Sequence, residues 1–107
     1  MADKSWKQWE RAVAKLVGGK RRGPDFRGED GGKNDIIHPH FSIECKLLSR
    51  PSYGHLLDAA LEAERNAKPD QEPVAIVKRK GRSCLVGDAL VVMRLETWLQ
   101  WRIGAHG

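Results

Sequence analysis

The stretch Asp35-Ile36-Ile37-His38-Pro39-His40-Phe41-Ser42-Ile43-Glu44-Cys45-Lys46-Leu47 decides the fold. Two short segments, one β-branched and one alternating, flank His38-Pro39-His40, which predicts a β-hairpin. Side chains alternate along a strand, so Phe41, Ile43, Cys45 and Leu47 share one face and Ser42, Glu44 and Lys46 the other. A carboxylate and an ammonium therefore emerge on one side, about 6.6 Å apart along the strand. Pro39 cannot take positive φ, which disfavours a two-residue primed turn. A four-residue loop from His38 to Phe41 built on a type I turn keeps the same register. That register pairs Ile37 with Ser42, Ile36 with Ile43 and Asp35 with Glu44. Two carboxylates opposite each other lie with Cβ atoms about 5 Å apart and destabilise a sheet unless something offsets them. A divalent cation is such an offset.

Upstream, Ser5-Trp6-Lys7-Gln8 matches a capping box, and Trp6, Trp9, Val13, Leu16 and Val17 form one helical stripe. A helix is expected over about residues 6 to 17, stopped by a left-handed Gly18-Gly19. Residues 18 to 33, with Gly at 18, 19, 23, 28, 31 and 32, read as a mobile basic loop with at most one short strand. Downstream, Ser52 caps a second helix over roughly 53 to 67 with Leu56, Leu57, Ala60 and Ala63 inward, and Pro69 closes it. Pro73 to Val77 reads as a strand, with Cys84 to Leu95 as its return partner, broken near Gly87-Asp88. A last helical turn or two, Glu96 to Arg102, carries Trp98, Leu99 and Trp101, and the two tryptophans read as core by default, with a subunit contact as the alternative. The sum is an α/β fold, a single domain over 1–107 with a central mixed β-sheet flanked by helices.

Composition agrees with one domain: 107 residues, 40% hydrophobic, suffice for a core without disulfides or a structural metal. No apolar run reaches membrane-spanning length, and Met1-Ala2-Asp3-Lys4-Ser5 lacks the order of a secretory signal. A soluble intracellular protein with no membrane contact is expected. Cys45 and Cys84 have no partner spacing and read as core thiols. Nineteen Lys and Arg against fourteen Asp and Glu give +5, concentrated in Lys20-Arg21-Arg22 and in Lys78-Arg79-Lys80-Gly81-Arg82. Such clusters suit a polyanion through its phosphates, or are solvated turns.

Magnesium prefers oxygen ligands and keeps several waters, so Asp35, Glu44 and the backbone carbonyl of Cys45 suffice to hold it. Lys46, on the same face, can help deprotonate a water on the metal or stabilise charge developing on a phosphate. That is the apparatus of phosphodiester hydrolysis.

Asp35, followed nine residues later by Glu44-Cys45-Lys46, resembles the PD-(D/E)xK nuclease signature. The length, the acid on the first helix and the order of elements are further similar, over most of residues 5 to 95, to the archaeal-type Holliday junction resolvases, a family also found in phages. The resemblance implies a restriction-endonuclease-like fold and a Mg²⁺-dependent endodeoxyribonuclease cutting branched double-stranded DNA, with the choice between Mg²⁺ and Mn²⁺ left open. Asp35 and Glu44 would be metal ligands, Lys46 the catalytic lysine and Glu10 the helix acid that completes the site. Glu10 also borders the apolar stripe of its own helix, so it can look toward the sheet. The residue before Asp35 is Asn34, whereas a literal Pro-Asp stands at Pro24-Asp25, in a Gly-rich segment without a register argument.

The resemblance further implies a cytoplasmic setting in a bacterial, archaeal or phage-infected cell. Cutting two opposed strands of a two-fold junction calls for a homodimer. Lys20, Arg21, Arg22, Arg27, Lys33, Lys78, Arg79, Lys80 and Arg82 are the expected DNA contacts. His38 and His40 lack further ligands for zinc and read as a solvated turn. Gly28 to Gly32 lacks a phosphate-loop ending, so no nucleotide cofactor is expected. A nicking or restriction-type nuclease, a non-catalytic DNA-binding module and a structural or protein-interaction domain are the alternative readings.

Overall fold

The computed structural model describes residues 5–22, 33–81 and 86–104. Helix α1 spans Ser5–Val17, and Gly18 at φ +72° supplies the left-handed stop. Ser5 lies inside this helix rather than capping it, and the residues before it fall outside the described chain. Strand β1 (Lys20–Arg21) follows at once, then β2 (Ile36–Ile37) and β3 (Phe41–Leu48). Helix α2 covers Tyr53–Arg65, with Ser52 as its cap in a reciprocal pair of hydrogen bonds with His55. Strand β4 (Glu72–Arg79) is longer at both ends than the expected 73–77. Its return partner β5 is only Leu90–Val92, preceded by a 3₁₀ turn at Val86–Asp88 where the Gly-Asp break was expected. Helix α3 (Leu95–Trp98) continues into a π-type turn at Leu99–Ile103.

The five strands form one mixed sheet in the order β1-β2-β3-β4-β5. Strands β1, β2 and β3 are antiparallel neighbours, and Ile36 pairs with Ile43 as the loop argument requires. The β3–β4 pair is parallel over eight positions, from Phe41 opposite Glu72 to Leu48 opposite Arg79. A parallel pair needs a crossover, and α2 provides it.

Each helix takes one face of the sheet. Trp9, Val13 and Ala14 of α1 pack on Ile36, Ile43, Cys45 and Val74, with Phe41, Leu47 and Ile76 at the margin. Ala59 of α2 packs on Ala75 and Val77, flanked by Leu48, Leu56 and Val92. The small side chains Ala59, Ala60 and Ala63 are the buried ones on α2, while Leu56 and Leu57 are half-buried. Small residues let a helix backbone sit close to the sheet, which matters below because α2 covers the polar side of β3.

Gly19 is where the chain passes closest to the hairpin. A Cβ there would stand 2.7 Å from Ile36 Cγ2 and 2.9 Å from the Ile37 carbonyl. His38 is also structural rather than solvated: its Nε2 lies 3.1 Å from the Val17 carbonyl and its Nδ1 accepts from the amides of His40 and Phe41. His40 meets the buried Glu72 carboxylate at 3.2 Å, and Arg102 forms an ion pair with the same group. The expectation of core tryptophans fails. Trp98 is 44% exposed and Trp101 half-buried, its ring edge-on to His40 at 6.0 Å. Among the described residues no helix is long and apolar enough to cross a membrane.

Candidate metal and phosphate site

The polar face of β3 is not open to water. Ser42 donates to the Ala63 carbonyl at 3.0 Å, Glu44 Oε1 accepts from Asn66 Nδ2 at 2.9 Å, and Lys46 Nζ meets Glu62 at 2.5 Å. All three partners lie on α2 or at its C-terminal cap. Glu44 is consequently 1% exposed, whereas Lys46 keeps 31% of its side chain in solvent.

One step beyond the Ile36–Ile43 pair, β2 and β3 part. Asp35 N–H reaches the Ile43 carbonyl at 3.1 Å, and its Oδ2 accepts the Cys45 N–H at 2.8 Å in place of a strand partner. In an extended strand the N–H and C=O of one residue point to the same side. The Cys45 carbonyl therefore faces the same gap as the Asp35 carboxylate. Glu10, from α1 on the opposite side of the sheet, is buried at that gap and accepts from Arg21 Nε at 2.7 Å. Asp35, Glu44, Lys46, Glu10 and the Cys45 backbone thus come together where two strands separate.

The electrostatics carry the mark of that crowding. Burial first and then the Asp35 charge push Glu44 up to about 8, against the hydrogen bond from Asn66, and the two carboxyls are close enough to hydrogen-bond. Glu10 is likewise raised, by burial and then by Asp35, with Arg21 and Lys46 pulling the other way. The Cys45 thiol is driven far up by burial and then by Asp35, Glu10 and Glu44, so it stays an inert thiol. Burial disfavours the Lys46 ammonium, but Glu62, Asp35 and Glu44 outweigh that and leave its pKa above the ordinary lysine value.

A hard divalent cation fits this donor set. Among the described residues no three His, Cys, Asp or Glu side chains form a ready-made cage. The oxygens are there in another form, as two crowded carboxyls and a carbonyl facing one gap. Burial accounts for most of the rise in the Glu44 pKa, and the neighbouring Asp35 charge adds to it.

The expected DNA contacts divide. Lys20, Lys33, Arg79 and Lys80 are exposed. Arg27 and Arg82, like Asp25 and Cys84, lie outside the described residues. Lys78 has to be withdrawn as a phosphate contact. It belongs to β4, is 2% exposed, donates to the Arg79 carbonyl and sits 5.9 Å from the Trp9 ring centroid. Arg21 and Arg22 turn inward as well: Arg21 holds Glu10, and Arg22 holds Asn34 through Nε to its carbonyl at 2.6 Å and Nη2 to Oδ1 at 2.7 Å. Asn34, 2% exposed, in turn donates to Ser42 at 3.3 Å. These two arginines organise the approach to Asp35 instead of reaching out from it.

Glu62 and Asn66 are the site residues that sequence reasoning missed. Their positions follow from the α2 crossover, and the only available hint was that both fall on the C-terminal half of a helix capped at Ser52. Comparison with protein-family models, with curated proteins and with solved structures finds no match to this chain.

Proposed function

We propose that this protein is a Mg²⁺-dependent endodeoxyribonuclease of restriction-endonuclease-like fold that resolves four-way DNA junctions by phosphodiester hydrolysis. The observation that carries the reading is the Asp35–Glu44 pair at the parting of β2 and β3, with the Lys46 ammonium alongside. The order α1, three antiparallel strands, α2 and a parallel β4 supports it, as does the net charge of +5. Junction selectivity and a two-fold homodimer rest on the resemblance to the junction resolvases.

Asp35, Glu44 and the Cys45 carbonyl would hold the cation, with Glu10 behind them. The chemistry such a cation would supply there is polarisation of a phosphoryl oxygen and acidification of water. Glu44, its pKa pushed up to about 8 by burial and then by the Asp35 charge, would give up its proton to serve as a ligand. Lys46 stays an ammonium, so it acts as a charge on the phosphate oxygens and not as the base that removes a proton from water. Glu62 holds that ammonium on the α2 side until a phosphate competes for it.

The test is cleavage of a synthetic four-way junction and a linear duplex of matching sequence, with and without Mg²⁺, by the wild type and by Glu44→Ala and Lys46→Ala. Junction cleavage that needs Mg²⁺ and is lost in both variants is expected. Linear duplex cut equally well would reduce the reading to a nicking or restriction-type nuclease. DNA binding with no Mg²⁺-dependent cleavage would replace it with a binding module.

A further inference from the structure

Glu62 and Asn66 stand four residues apart at the end of α2, and the groups they hold, Lys46 and Glu44, stand two apart on β3. Four residues of helix advance about 6.0 Å and two residues of strand about 6.6 Å. The two steps match, and a crossover helix runs against its strands, so Asn66 meets Glu44 while Glu62 meets Lys46. The end of the helix is pinned at this register. Ser42 donates to the Ala63 carbonyl at 3.0 Å, and the Asn66 backbone N–H donates to the Glu62 carbonyl at 3.1 Å. The backbone that Asn66 occupies does not call for asparagine. This residue is favoured after a helix where the chain turns left-handed, but Asn66 has φ −93° and ψ −1°, which is right-handed. Its side chain is used on Glu44, as an uncharged donor at 2.9 Å.

We infer that Asn66 is a positioning residue that sets the divalent-cation affinity of the Asp35–Glu44 gap by fixing the Glu44 carboxyl. The inference rests on the metal reading of that gap. The last torsion of a glutamate is broad, so a carboxyl without a partner samples many orientations. Held at Oε1 from the α2 side, the Glu44 carboxyl keeps one plane beside Asp35. A lysine or arginine at this place would hold it as well, but would also offset the negative charge that attracts a cation. An amide donates a hydrogen bond and leaves that charge in full. Asn66 acts through Glu44. Hydrogen-bond partners behind a metal ligand change metal affinity or activity by about 10- to 100-fold when they are removed.

The test is Mg²⁺ binding read through stability, without any substrate. Urea denaturation of the full chain is followed by circular dichroism over a Mg²⁺ titration that starts in EDTA, at constant ionic strength. The growth of stability with Mg²⁺ gives an apparent Kd. Wild type is compared with Asn66→Ala and with Asn66→Leu, whose branched side chain fills the space and keeps the test available if the alanine variant does not fold. Arg65→Gln, at an exposed neighbouring position, is the control. Both Asn66 variants should raise the Kd about 10- to 100-fold, and Arg65→Gln should keep the wild-type value. A role confined to holding α2 on the sheet would lower stability in EDTA and leave the Kd where it was, and that result overturns the inference. An equal rise in Kd for Arg65→Gln overturns it too, since the effect would not run through Glu44. Wild type whose stability ignores Mg²⁺ overturns the metal reading itself, an outcome distinct from wild type and variants that respond alike.

Discussion

Glu44→Gln should make the metal-free protein more stable at neutral and alkaline pH, and the gain should vanish in acid. Glu44 is pushed up to about 8 from an ordinary 4.5. Below pH 4.5 both the native and the unfolded chain hold the proton. Between 4.5 and about 8 the native chain keeps it while the unfolded chain has released it, so each rise in pH favours unfolding. Above about 8 both are ionised and the loss is complete. The gap is worth about 1.4 kcal/mol for each pH unit, hence about 5 kcal/mol at most. At 1% exposure, solvent screens little of it. Glutamine keeps the shape of the protonated acid, can still accept from Asn66, and does not titrate. A domain of this size has about 5 to 15 kcal/mol of stability in total, so the effect is large. Urea denaturation in EDTA at pH 5, 6, 7 and 8 should show the variant gaining on the wild type by several kcal/mol, with a Tm difference on the order of 20 °C at the top of the range. Saturating Mg²⁺ should then restore the wild type and leave Glu44→Gln unmoved, by about 2.7 kcal/mol at a hundredfold excess over Kd. Parallel stability curves for the two proteins across this range would refute the electrostatic account of the site.

Two further substitutions separate chemistry from architecture. Lys46→Met should reduce kcat by about 10² to 10³ and leave duplex binding in EDTA at the wild-type level, since it removes a charge that acts on the reacting phosphate. Equal loss of binding and turnover would show that Lys46 only holds the substrate. Gly19→Ala should cost about 1 to 3 kcal/mol, because its methyl would press on Ile36 and on the Ile37 carbonyl, and unfolding by urea would measure it. A neutral outcome would mean that the α1–hairpin approach is looser than its distances.

The hairpin was legible because its determinants are local. Pro39 limits the turn, the turn sets the register, and the register brings Asp35 toward Glu44. What faces Ser42, Glu44 and Lys46 was not legible, since it depends on a parallel crossover that lays α2 over that side. Sequence spacing does not show where a helix returns, so Glu62 and Asn66 went unseen. Lys78 was misjudged for a different reason. A cluster of four cations reads as a turn, yet Val74, Ile76 and Lys78 alternate on one face of β4, and that period places the lysine under Trp9. Arg21 and Arg22 show the same limit, since charge counts do not reveal that a cation is already engaged.

Asp35 closes the ladder with its side chain, satisfying the Cys45 amide where backbone pairing stops. Its carboxylate is thereby a hinge pin as well as a ligand candidate. Any movement that parts the two strands of the hairpin at this point withdraws an oxygen from the gap and strands an amide at the same moment. Loading and sheet geometry would then be coupled, and a nick or ligand that strains the hairpin would be felt as a change in cation affinity without any residue of the site being altered.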